Sequence, residues 1–195
     1  MKFKNWVCYL MEKFKNYLLL FMLLGTLVLA VGCTNSNSSE ESDKKSQGQN
    51  EEAKTNVRSV LEKIFTGPNE EQVKLLDPTG DMEEYNKKLT NYYQEDFKPH
   101  MSDAFYESHI IKLNGAIRFL QAAYPKYILE VNEITLEERE AKEGDYHFNV
   151  EVTYTNKDSD ERDTMNIEGT ASTNEEGKIT SIRYTNDEEF RDYLQ

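Results

Sequence analysis

At Pro125 the spacing of apolar residues changes, and that change limits the chain to one kind of fold. Upstream, Val57, Val60, Leu61, Ile64 and Phe65 fall at i, i+3, i+4, i+7 and i+8, one face of an α-helix. Downstream, Tyr146, Phe148, Val150, Val152 and Tyr154 alternate with polar residues, one face of a strand. Helices must therefore come first and a sheet afterwards, each burying its apolar side against the other. That order is α+β.

The remaining elements follow from the same two periods. Thr55 or Asn56 can cap the first helix, and Gly67-Pro68 stops it. NEEQVKLLD predicts a short helix with Val73 and Leu76 inward. Asp81 opens a longer one carrying Met82, Tyr85, Leu89, Tyr92, Tyr93 and Phe97 at helical spacing, closed before Pro99. Ser102 caps a third helical region, which Gly115 breaks or bends and Pro125 ends. Tyr127, Leu129 and Val131 then alternate, but Ile134 and Leu136 resume out of phase, which predicts a bulge near Asn132-Glu133. Met165, Ile167, Gly169 and Ala171 give a third strand, and Ile179, Ile182 and Tyr184 a fourth. NKDSDE and NEEGK supply the hairpin turns, and Phe190 and Leu194 a last helical turn that packs back.

Residues 55–195 are thus expected to form one α+β domain: N-terminal helices on a curved antiparallel sheet of about four strands. This element order, with the EDFKP…SDAFY stretch between helices, resembles the nuclear-transport-factor-2-like (cystatin-like) cone of secreted lipoproteins from Gram-positive bacteria. The resemblance implies helices lying in the hand of the sheet and names no reaction.

The N-terminal third has a different logic. Tyr17–Gly32 carries no charge, is shorter than the roughly 20 residues of a membrane span, and follows Lys2, Lys4, Lys13 and Lys15. A basic region, a short apolar run and small residues before a cut site describe a secretory signal over residues 1–32, with Met11 an alternative start. Ala30-Val31-Gly32-Cys33 resembles a bacterial lipobox, although leucine is commoner where this chain has Ala30. That resemblance implies cleavage between Gly32 and Cys33, a diacylglycerol thioether on Cys33, and a cell-membrane protein on the extracytoplasmic face. An uncleaved signal anchor would tether the chain to the same face. Thr34–Lys54 has Ala53 as its only apolar residue, so residues 33–54 are expected to be the lipidated cysteine and a disordered leash.

Removing residues 1–32 takes four of 23 Lys/Arg and one of 36 Asp/Glu, so the formal charge goes from −13 to −16 (19 against 35). So acidic a body lacks the basic patches that nucleic acid requires, and anionic lipid heads repel it. Membrane lipid is held through Cys33, since two acyl chains anchor where the surface does not. Cys8 falls within the signal, so the mature chain keeps one cysteine and forms no internal disulfide.

Sites of chemistry are sparse. His100, His109 and His147 lack zinc spacing, so no metal and no cofactor is expected. NKDSDERD begins like a calcium loop but has Glu161 where glycine belongs and Ile167 where glutamate belongs. Serine and cysteine nucleophile motifs and Gly-rich phosphate loops are absent. Cone-fold isomerases and cyclases set an acid inside the cone beside a tyrosine, and Asp103, Tyr106 and His109 stand three apart. The plainer alternative is a first-turn Asp103, a half-buried Tyr106 and a surface His109. With Tyr92, Tyr93 and Phe97 they form the candidate pocket. The favoured expectation is a binding module without catalysis, for another envelope protein or a peptide. The alternative is a small-molecule-binding protein or an isomerase- or cyclase-like enzyme.

Overall fold

The structure, a computed structural model, describes residues 40–139 and 142–194. The expected signal segment, residues 1–32, and Cys33 lie outside the described residues. Among the described residues no helix is long and apolar enough to cross a membrane.

Helix α1 (Glu40–Phe65) carries the predicted apolar stripe, and Val57, Val60, Leu61, Ile64 and Phe65 expose no surface. Burying side chains of this size stabilises the fold by about 1.5–3 kcal/mol each. The helix starts far earlier than expected, which corrects two readings. Glu40–Lys54, read as leash, is helical, and Ala53 is 3% exposed, so the folded body begins before Thr55. Thr55 and Asn56 sit inside the helix and not at its cap. Asn56 is buried by residues distant in sequence.

Gly67 ends this stretch with φ +124°, and its N–H and C=O pair with Leu129 at 2.9 and 2.6 Å. A Cβ there would lie 2.1 Å from Gln72 Oε1, so only glycine fits. Helix α2 (Glu70–Leu76) opens on a capping box in which Asn69 accepts from the Gln72 N–H and Gln72 Oε1 from the Asn69 N–H. That pairing turns Gln72 and Leu75 inward, and Val73 and Leu76 are only partly buried. Helix α3 (Met82–Asp96), capped by Asp81, buries Tyr93 and leaves Met82 exposed. A 3₁₀ turn (Lys98–His100) follows.

The third helical region is broken as Gly115 implied. Helix α4 (Asp103–Phe105), capped by the Ser102 hydroxyl, widens into a π-helix over Tyr106–Ile111. After a turn with Asn114 at φ 51°, helix α5 (Arg118–Ala123) completes the region.

Strands β1 (Tyr127–Glu138), β2 (Asp145–Asn156), β3 (Arg162–Thr173) and β4 (Ile179–Tyr184) form an antiparallel sheet in the order β1-β2-β3-β4. The register of β1 on β2 shifts between Val131 and Glu133, at the predicted bulge. Such a bulge strengthens twist and helps curve the sheet. Tyr146, Phe148, Val150, Val152 and Tyr154 all face the core, and His147 lies exposed on the other side. The concave face is filled by rings: Phe119 stands 4.5 Å from Phe65, 5.2 Å from Tyr184 and 6.0 Å from Phe190. Helix α6 (Asp187–Leu194) supplies Phe190 and Leu194 to that packing. The result is an α+β, cone-like fold whose sheet is curved and unclosed.

Both sheet edges are engaged, as edges must be to avoid pairing with other chains. Gly67 and the Arg58 guanidinium, which donates to the Ile134 carbonyl, engage β1. The Ser102 N–H donates to the Ile179 carbonyl of β4 at 2.9 Å.

Candidate functional site

The first three helices enclose a half-open groove of about 630 Å³ outside the sheet's hand. Helix α3 buries only Tyr93 fully, and its Lys88, Asn91, Tyr92, Glu95 and Asp96 line the groove. Glu62, Lys63 and Thr66 form the α1 wall, since residues three and four apart share a helix face. Tyr92 presents a ring to the groove and leans on Phe97, 5.6 Å away and edge-on. Its hydroxyl receives a hydrogen bond from Gln72 Nε2 at 3.3 Å, and that amide also donates to the Thr66 carbonyl. Burial raises the Tyr92 pKa, so the ring keeps its proton. Lys63 pairs with Asp96 across the groove, and Lys88, which also lines it, pairs with Glu84 one turn earlier on α3 at 2.7 Å. The walls thus offer both charges, an aromatic face and amide groups.

Of the pocket residues read from the sequence, Tyr92 alone lines this groove. Tyr93, Phe97 and Tyr106 lie in the core at 3%, 0% and 3% exposure. The Tyr93 hydroxyl donates to Asn114 Oδ1 at 3.4 Å, and burial pushes its pKa up. The Tyr106 hydroxyl is buried with no hydrogen-bond partner among the described residues, and the Lys98 ammonium sits 5.7 Å from its ring centre. His109 stacks on Phe105 at 4.8 Å, with Gly115 packed against its edge. Burial, then the nearby Arg118 charge, lowers the His109 pKa. Asp103 stands exposed in the first turn of α4. The acid therefore faces water, where the apolar environment that tunes an isomerase's acid is missing.

Other polar features take structural parts. Asn156 Oδ1 accepts from the Asp158 and Ser159 N–H groups and so closes the NKDSDE turn on itself. Among the described residues no group of three or more His, Cys, Asp or Glu is placed to hold a metal ion.

A polar cluster that the sequence did not announce lies beside the groove. His100 Nδ1 is 2.7 Å from Asn56 Oδ1, and His100 Nε2 is 3.2 Å from Ser59 Oγ. Asn56 Nδ2 donates to the Gly177 carbonyl at 2.9 Å. The cluster joins α1, the turn after α3 and the β3–β4 hairpin. Asn56 and Ser59 are one helical turn apart, which was the sequence's one hint. Their partner at position 100 had no local signal.

In comparisons with known proteins, the chain matches no protein-family model, no curated protein and no solved structure.

Proposed function

We propose that the chain is a lipid-anchored binding module on the extracytoplasmic face of the cell membrane, whose groove between α1, α2 and α3 receives an envelope protein or peptide. The anchoring part rests on the sequence: a charge-free run ending in Ala30-Val31-Gly32-Cys33 after four lysines. The binding part rests chiefly on the groove, a concavity of ligand-binding size floored by Tyr92 and walled by opposite charges. A partner carrying basic residues would also be steered by the −16 charge of the body. The filled concave face and the exposed Asp103 favour this reading over an isomerase-like one.

The test is crosslinking and pull-down from native membranes, using the wild-type chain and Cys33→Ala. Wild-type protein should recover a specific envelope protein or peptide. Cys33→Ala should leave the membrane or remain an uncut precursor, and should lose that partner. Absence of any recovered protein, with a small molecule copurifying tightly on the domain, would overturn the module.

A further inference from the structure

We propose that Ser59 is a reactive hydroxyl, armed by His100 with Asn56 as positioning residue, that accepts acyl groups from activated esters. This goes beyond partner binding, and a reactive Ser59 does not require that partner. The arrangement is recognised by geometry and roles, as such constellations are, and not by a sequence motif.

The hydrogen-bond chain fixes each proton in turn. The Gly177 carbonyl can only accept, so the Asn56 amide turns its NH₂ toward it and its Oδ1 toward His100. Oδ1 can only accept as well, so His100 carries its proton on Nδ1. That leaves Nε2 with a free lone pair facing Ser59 Oγ at 3.2 Å, within reach of a general base. Ser59 and His100 are both partly exposed, so an electrophile can approach. Ser59 stands one helical turn before Glu62 and Lys63, which line the groove.

Charge around the imidazole acts in the same direction. Burial, then Lys63 of α1 and Lys178 of the β3–β4 hairpin, lowers the His100 pKa, and Asp96 at the end of α3 opposes them. The ring is therefore neutral at pH 7, as a base must be. Lys63, paired with Asp96, and Lys178, bonded to the Pro99 carbonyl, are the cationic groups near the imidazole.

In the step itself, Ser59 Oγ bonds to the acyl carbon as the ester C–O bond breaks. The Ser59 proton passes to His100 Nε2 and from there to the departing alkoxide. The products are acyl-serine and an alcohol, and water hydrolyses the acyl-serine in a second step.

Full-length protein in detergent should be treated with a fluorophosphonate, whose fluoride leaves as Ser59 Oγ bonds to phosphorus. Intact mass should show one adduct per chain, mapping to Ser59 and absent from Ser59→Ala and from heat-unfolded protein. His100→Gln should slow labelling by about 10²-fold or more, the scale of general-base assistance. Should that variant unfold, the pH profile of the wild-type protein carries the test. Its labelling rate should follow one deprotonation below the ordinary histidine value of about 6.5, and Asn56→Ala should move that midpoint up toward it. Absence of a Ser59 adduct, or labelling as fast in the heat-unfolded chain, would overturn the proposal.

Discussion

Replacing Asn56 by alanine should be among the most damaging changes to a polar residue in this protein. The side chain is 6% exposed, and both of its hydrogen bonds go to segments far away in sequence. Truncation leaves the buried Gly177 carbonyl without the amide, an orphan that costs about 1–3 kcal/mol. His100 Nδ1 loses its acceptor too, but the ring is partly exposed and can turn to water, so about 1 kcal/mol is reasonable there. Alanine returns about 0.5 kcal/mol through better helix propensity. The net loss should be about 1.5–3.5 kcal/mol, read by urea unfolding at pH 7.5 with the slope m unchanged. A double-mutant cycle with His100→Ala should give a coupling of about 1 kcal/mol or more. The cluster also makes stability pH-dependent. The folded His100 pKa lies below its unfolded value of about 6.5, so the unfolded chain binds the extra proton first as pH falls. The stabilisation is complete above about pH 6.5 and is lost as pH falls toward the folded pKa. In Asn56→Ala the released ring should flatten that dependence. A loss below about 0.5 kcal/mol with additive cycles would show that the three segments are held together by apolar packing alone.

Three further outcomes follow from the fold. Val150→Asp places a charge at a fully buried position and should unfold the domain, whereas Glu151→Lys, facing Glu133 across β1, should change stability by less than about 0.5 kcal/mol; thermal melts of the two separate them. Gly67→Ala, at φ +124° and against Gln72, should cost more than about 2 kcal/mol in the same assay. Lys63→Met and Asp96→Asn should each cost under about 1 kcal/mol, since their ion pair is about one-third exposed, yet both should weaken binding of a groove partner in a pull-down.

How much of this was legible depended on the range of the forces involved. The β-sheet was open to reading because its alternation is local: Tyr146 to Tyr154 keep one phase, and the fault between Val131 and Ile134 marked the bulge that the pairing shows. The apolar stripe of α1 was legible for the same reason. Its start was not, because Glu40–Lys54 has almost nothing to bury, and its ordering depends on Ala53 and on Asn50 meeting the Tyr146 hydroxyl. Glu40/Lys44 and Glu41/Lys45 at i, i+4 were the available sign of helix in that segment. Asn56 reads as a cap by local rules, because its true partners at positions 100 and 177 appear only in the folded chain. The candidate pocket suffered similarly. Helical spacing put Tyr92, Tyr93 and Phe97 on one face, but neighbours decide which of them meets solvent, and only Tyr92 does so in the groove. Asp103, Tyr106 and His109 stand three apart in sequence, yet the chain leaves the first in water and buries the second.

The central claim is that the helical groove, and not the outer face of the sheet, meets the partner. A photo-crosslinking amino acid can be placed at Asn91 in the groove and, separately, at exposed His147 on the far face of the sheet. Irradiation of intact cells should yield one discrete adduct from position 91, weakened by competition with excess soluble domain, and none of that mass from position 147. The same adduct from position 147 with nothing from position 91, or no adduct from either, would contradict the account.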